Sequence, residues 1–177
     1  MNIGNYYCIK TKTDKTGKIV ACLLRSKDGR EQIERDRESL ITDLRNSRIS
    51  VVNLEYSETQ GKLRTVPIMN TETGRRAESS IKASLQKIAG NLTTKSKGAV
   101  KASFAQVKVS LQDDLIAGYA ASFRNNSLNK GYKVFLYVGL NGDYYVRDSI
   151  EGDYFESYSK KVDAERLIYK MAQSALL

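Results

Sequence analysis

From residue 75 to residue 89 the apolar side chains Ala77, Ile81, Leu85 and Ile88 recur at offsets of four, eight and eleven. That is the period of one helix face and predicts a helix ending at Gly90 or Asn91. Thr71, Glu72 and Thr73 supply its start signals. A longer series follows: Val100, Phe104, Val107, Leu111, Leu115, Tyr119 and Phe123. Its offsets predict a long amphipathic helix over residues 98–124, with Gly118 weakening the interior. Residues 107–111 also alternate in the strand period. Near the C-terminus, Ser159 is the expected cap of a final helix that buries Val162, Leu167, Ile168, Met171, Ala172 and Ala175.

Elsewhere the pattern is that of strands. Residues 5–12 and 18–25 flank Thr13-Asp14-Lys15-Thr16-Gly17, which has the Asp and Gly of a hairpin turn. Symmetry about Lys15 would set Cys8 opposite Cys22, expected as two reduced, half-buried thiols. Asp28-Gly29 is a second turn leading to a short strand through Ile33. Asp36 is a candidate N-cap, with Glu38 in the first turn of a helix that reaches Asn46 and buries Leu40, Ile41 and Leu44. Residues 48–56 have strand composition. Gln60-Gly61 turns the chain into a last short strand over 62–66, which Pro67 ends. Residues 132–139 and 143–149 form a hairpin about Asn141-Gly142, and residues 153–157 add a third strand. The predicted class is α+β: a β-rich module over residues 1–68 with one helix, a basic helical linker over 69–97, and an α-β-β-(β)-α unit over 98–177.

Composition bounds the function. The 177 residues are 41% hydrophobic and 28% charged, as in globular chains. No run of about 18 apolar residues exists to span a membrane. The start, Met1 to Tyr6, lacks the basic and apolar parts of a signal peptide, so a cytoplasmic location and no membrane partner are expected. There is no histidine, which removes His bases, His nucleophile partners and His metal ligands. Two cysteines cannot build a four-cysteine zinc site, and no Gly-rich phosphate loop is present. Eleven tyrosines without a tryptophan suit base stacking, but also ordinary strand propensity.

Charge changes the picture most. The net +9 is concentrated in two blocks. Residues 1–30 carry 7 basic against 2 acidic side chains, and residues 69–112 carry 8 against 2. The remaining stretches are balanced, 6 against 7 and 8 against 9. A localised basic block points to a polyanion, most often nucleic acid. The candidate phosphate contacts are Arg75, Arg76, Lys82, Lys87, Lys95, Lys97, Lys101 and Lys108, opposed only by Glu72 and Glu78. The lysines of the first hairpin are explained in part by edge protection. Asp143, Asp148, Glu151, Asp153 and Glu156 form an acidic cluster around the C-terminal hairpin. Clustered carboxylates of this kind can hold Mg²⁺ for phosphodiester cleavage.

Two resemblances add to this reading. Ser159-Lys160-Lys161-Val162-Asp163-Ala164-Glu165, after helix and strands, distantly resembles the double-stranded RNA-binding domain. In that family a basic pair opens the last helix and contacts phosphates. The resemblance implies that role for Lys160 and Lys161. The segment before the helix departs from it, with Tyr154-Phe155-Glu156-Ser157 where the family has glycines. In the N-terminal half, Gly17-Lys18-Ile19-Val20, Asp28-Gly29-Arg30, Arg45-Asn46, Ile49 to Leu54 and Gly61-Lys62-Leu63-Arg64 resemble a small module of Firmicutes mobile-element proteins. Some of these are linked to anti-CRISPR proteins against the type II-A nuclease. The resemblance covers about 50 residues and implies no catalytic group.

The sequence thus leads to an expected basic RNA-binding protein of a mobile element, its partner a structured RNA or an RNA-guided nuclease complex. The specific form is an anti-CRISPR inhibitor of a type II RNA-guided nuclease that acts on guide RNA or the ribonucleoprotein, without a cofactor. A histidine-free, Mg²⁺-dependent ribonuclease using Asp143, Asp148, Glu151 and Asp153 is the first alternative. A non-enzymatic module that binds an acidic protein is the second.

Overall fold

A computed structural model of the chain describes residues 5–148 and 157–177. The class is α+β, with antiparallel sheets. The elements run β1 (Tyr6–Thr13), β2 (Ile19–Ser26), β3 (Gln32–Asp36), α1 (Arg37–Arg45), β4 (Leu54–Ser57), β5 (Lys62–Thr65), α2 (Glu72–Lys95), β6 (Val100–Gln106), β7 (Leu115–Asn125), β8 (Lys130–Gly139), β9 (Tyr144–Asp148) and α3 (Lys161–Leu176). They divide into two compact units. One is Met1–Arg76 with Ser110–Ile116, and the other is Ala77–Val109 with Ala117–Leu177.

In the first unit β1, β2 and β3 form a sheet and β4 pairs with β5. The first turn closes as its residues require. Asp14 accepts hydrogen bonds from the Thr16 amide and hydroxyl and from the Lys18 amide, and Gly17 takes φ +85°. These bonds hold the Asp14 carboxyl below the usual aspartate range, the Thr16 hydroxyl first. The register differs from a symmetric hairpin. A bulge between Cys8 and Lys10 shifts the strands, so Cys8 faces Leu24 and Thr11 faces Cys22. Both cysteines are free and lie in one apolar cluster with Ile19, Leu24, Leu40, Val51, Leu54 and Leu63. The Cys8 thiol is held strongly protonated, first by its hydrogen bond with Cys22 and then by burial.

Asp36 caps α1 as expected, accepting from the Ser39 amide at 2.8 Å, and Leu40 is fully buried beneath it. The strand expected over 48–56 is shorter. Only Leu54–Ser57 is a strand, while Val51 makes an isolated bridge to Tyr6. The buried Asn53 explains the break. Its side chain, not a backbone ladder, bonds the Cys8 amide at 2.7 Å and the Cys8 carbonyl at 2.9 Å. After Pro67 the chain makes a short 3-10 turn, and Thr71 caps α2 by accepting from the Gly74 amide at 3.1 Å. A Cβ on Gly74 would lie 2.0 Å from the Ile68 carbonyl oxygen, so this tight entry to α2 requires glycine.

The second unit corrects the main helix expectation. Residues 98–124 form β6, a 3-10 turn at Leu111–Asp113, and β7. An offset of four keeps side chains on one face in a strand as well as in a helix, so Val100 with Phe104, and Leu115 with Tyr119 and Phe123, fit both periods; the odd step from Phe104 to Val107 falls at the end of β6. The turn between them is set by Ser110, whose hydroxyl accepts from Gln112, and by Asp114 at φ +60°. Strands β6 to β9 form one sheet in sequence order. The order of this region is therefore α-β-β-β-β-α. The α2 stripe holds: Ile81, Leu85 and Ile88 are buried, and Leu92 carries the helix past Gly90 to Lys95.

Both helices lie on one face of the sheet. Gln106 of β6 donates to Glu78 of α2 at 2.6 Å, and Lys82 of α2 sits 5.6 Å from the ring centre of Tyr119 on β7. α3 packs on β8 and β9, and Asn125 of β7 donates to the Leu176 carbonyl at 2.8 Å. The buried stripe of α3 is Ala164, Ile168, Ala172 and Leu176. Val162, expected inside, is 44% exposed. Lys160, not Ser159, is the N-cap and makes no side-chain cap. The Asn141-Gly142 hairpin forms, with Gly142 at φ +88° donating to the Gly139 carbonyl. The third strand expected over 153–157 lies almost wholly outside the described residues.

Candidate nucleic-acid interface

Period-two alternation sorts the side chains of β6–β9 onto two faces. The pairing of Gln106 with Tyr119 and of Val100 with Asn125 puts Ala102, Phe104, Ala121 and Phe123 on the helix side. The register of β8 with β9 puts Val134, Leu136, Val146 and Asp148 there too. The opposite face carries Lys101 and Ser103 from β6, paired with Arg124 and Ser122 from β7. β8 adds Lys133, Phe135 and Tyr137, and β9 adds Arg147 opposite Phe135 and Tyr145 opposite Tyr137. A Cβ on Gly118 would meet the Tyr137 ring at 2.9 Å, which fixes β7 and β8 to a common outer face.

The outer face has two ends of different character. At one, Tyr137 is buried, and Val109 lies beside it over Gly118. At the other, Lys101, Ser103, Ser122, Arg124 and Lys133 are all exposed. Phe135 is half-buried between them. Its ring runs nearly parallel to that of Tyr137, with centres 6.4 Å apart and planes at 15°. The Arg147 guanidinium lies 4.6 Å from the Phe135 ring centre, and its Nη2 donates to the Tyr137 hydroxyl at 3.2 Å. The Lys133 ammonium lies 5.2 Å from the same ring. Cations at these distances are attracted to the aromatic face. Arg124 donates to the Asn129 side-chain oxygen.

Among the described residues, no carboxylate of the four strands lies on this face. The single acidic residue within the four strands is Asp148, and it points the other way. Asp148 is 1% exposed and accepts from the Tyr132 hydroxyl at 2.8 Å. Burial, and then this bond, raises the Tyr132 pKa well above the ordinary tyrosine value. Asp148 is therefore a core residue. Asp143 lies at the other end of β9, in the turn, where its amide donates to Asn141. Glu151, Asp153 and Glu156 lie outside the described residues. Among the described residues no three carboxylates or cysteines gather as a metal site.

The predicted basic residues are spread. Arg75 and Arg76 lie in the part of α2 that belongs to the first unit. Arg75 donates to the Asn70 carbonyl and Arg76 pairs with Glu72. Lys82, Lys87 and Lys95 are exposed in the second unit. At about 100° per residue, Lys82 and Lys87 point about 140° apart around α2, so they do not share a face. Lys97 and Lys108 are exposed in connecting segments. Lys160 is exposed, while Lys161 is half-buried and donates to Ser80 of α2 at 3.1 Å. Of the predicted set, Lys101 alone lies on the outer sheet face.

Arg124, Lys133, Phe135 and Arg147 carry no weight in a reading by sequence blocks. Residues 113–177 balance 8 basic against 9 acidic side chains, and that balance hides their segregation. The usable signal is the alternation Ser122-x-Arg124 and Lys133-x-Phe135-x-Tyr137. In the first unit a cleft of about 640 Å³ is lined by Arg45, Glu55, Glu58, Lys62 and Arg64. Its charges are largely matched, Arg45 with Glu58 and Arg64 with Glu55, each at 2.9 Å. It offers an anion much less than the open sheet. No family model matches this chain, and no curated protein or solved structure is similar enough to stand as a relative.

Proposed function

We propose that this chain is a nucleic-acid-binding protein whose partner is RNA and whose binding surface is the open face of the β6–β9 sheet. One observation carries the reading: Lys101, Arg124 and Lys133 are exposed on one face of the sheet, and no strand residue among those described adds a carboxylate to it. Clustered cations on a surface raise the local concentration of a polyanion and speed its association. RNA is favoured because protein recognition of RNA uses aromatic and guanidinium planes beside phosphate contacts. The narrower reading, an inhibitor of a type II RNA-guided nuclease that grips its guide RNA, adds the resemblance seen between Gly17 and Arg64. A guide RNA is a polyanion with exposed loops and suits the same face.

Fluorescence anisotropy with a labelled RNA hairpin tests the proposal. Three to four phosphate contacts give a slope of about −2 to −3 in log K against log salt. The triple variant K101E/R124E/K133E is expected to weaken binding at least about tenfold. The pair K82E/K87E, on the opposite side of the sheet, is expected to change it less. Unchanged affinity in the triple variant would remove the sheet face as the site.

A further inference from the structure

We infer that the occupant of the sheet face is unpaired RNA, with a base stacked at Phe135, and not an RNA helix. This rests on the RNA-binding reading above and adds the strand state of the ligand. The first argument is the shape of the surface. Strands lie about 4.8 Å apart, so the outer strands of a four-stranded sheet are about 14 Å apart. Even the major groove of B-form DNA, at about 12 Å, admits only a helix or a two-stranded ribbon. The major groove of A-form RNA is narrower still to side chains. A broad sheet face therefore cannot enter a groove and would meet a duplex only along its ridges. A single strand can lie across it.

The second argument is the chemistry at the centre of the face. A duplex hides the faces of its bases, so an aromatic ring adds nothing to its binding. Phe135 is nevertheless half-buried on the outer face, flanked by Lys133 at 5.2 Å and Arg147 at 4.6 Å. The guanidinium of Arg147 is steered over Phe135 and Tyr137 and bonded to the Tyr137 hydroxyl. Ring and guanidinium together form a layered platform on which a base stacks whatever its identity.

The third argument is the order of groups leading from that platform. The exposed pair Ser103 and Ser122 comes next, and the exposed pair Lys101 and Arg124 after it. Hydroxyls suit base edges and the ribose 2′-OH, and the cations suit the phosphates. At the other end the face is closed. Tyr137 is buried there beside Val109 and Gly118, so the tract that fits is short.

The test uses the full chain and two probes in fluorescence anisotropy: an unstructured 20-nucleotide RNA, and a blunt duplex of the same sequence. The single strand is expected to bind at least about tenfold tighter at equal salt. Phe135→Ala is expected to weaken the single strand by about five- to hundredfold, while duplex affinity and the salt slope stay unchanged. Phe135→Leu, which keeps an apolar side chain without a ring, is expected to show the same loss. Phe135→Tyr is expected to retain binding. Circular dichroism confirms that each variant is folded. Equal binding of both probes, or Phe135→Leu at wild-type affinity, would overturn the inference while leaving RNA binding in place. Failure of both probes to bind would overturn the RNA-binding reading itself.

Discussion

Asn53 stands where a strand partner would otherwise be. Its side-chain amide satisfies both backbone polar groups of Cys8, a buried residue. Removing it leaves a buried donor and a buried acceptor unpaired, each costing about 1–3 kcal/mol. Asn53→Ala is therefore expected to lower stability by about 2–6 kcal/mol, read as a drop in urea midpoint. A change within 0.5 kcal/mol of zero, the range of about ±0.5 kcal/mol usual for surface sites, would show that the pairing is dispensable. Nothing local in the sequence marks this role, since the bond joins residues 45 apart. Asp148 shows the same limit from the other side. As one of five clustered acids it has the look of an exposed ligand. Only the strand register reveals that its alternation phase is that of Val134 and Val146.

Elements were legible where a local rule decides them. Asp36, with a serine three residues on, caps α1, and Asn141-Gly142 makes its hairpin. Ile81, Leu85 and Ile88 cannot share a strand face, because their spacings include an odd number, and they form a helix. Val100 and Phe104 are four apart, as are Leu115, Tyr119 and Phe123 in turn, so each set obeys both periods, and there the expected long helix is instead two strands. The distinguishing information is the turn of Ser110 and Asp114, plus Gly118, which tertiary packing demands. Its Cβ would strike the ring of Tyr137, a side chain from the next strand. The caps and turns also fix an acid response. Asp14, Asp28 and Asp36 all have carboxyl pKa values below the usual range, held there by hydrogen bonds to Thr16, Ser26 and Ser39 respectively. A depressed folded-state pKa stabilises above the unfolded value of about 3.9 and is lost as pH falls through the folded one. Thermal unfolding is expected to be insensitive to these groups from pH 7 to about 5, and to fall below about pH 4. Asp36→Asn, which keeps a capping oxygen that does not titrate, should flatten part of that acid slope. An unaltered slope would show that the cap does not contribute.

For the molecule as a whole, net charge is a weaker guide than charge by face. A balanced C-terminal stretch contributes most of the candidate surface, because strand alternation puts Arg124, Lys133 and Arg147 on one face while Asp148 points to the other. Chain connectivity is equally hidden from any reading by consecutive blocks. The first unit takes in Ser110–Ile116, after the chain has already begun the second. That returning segment supplies buried Leu111 and Leu115, and Asp114 pairs there with Arg25 of β2. A fragment of residues 1–76 lacks all three. It is expected to unfold at a lower urea concentration than the first unit does in the full chain, followed by the change in environment of its tyrosines. An equal midpoint would show that the returning segment adds no stability. The same feature sets a timetable during synthesis. The first unit's own N-terminal residues leave the ribosome about 40 residues before the piece that completes it. At about 5–20 residues per second, the finished stretch of residues 1–76 waits roughly 2–8 s for Leu111 and Leu115 to arrive. Until then the part of β1 on which the Leu111–Asp113 turn packs stays uncovered, while most of α2 and all of β6 are still being made.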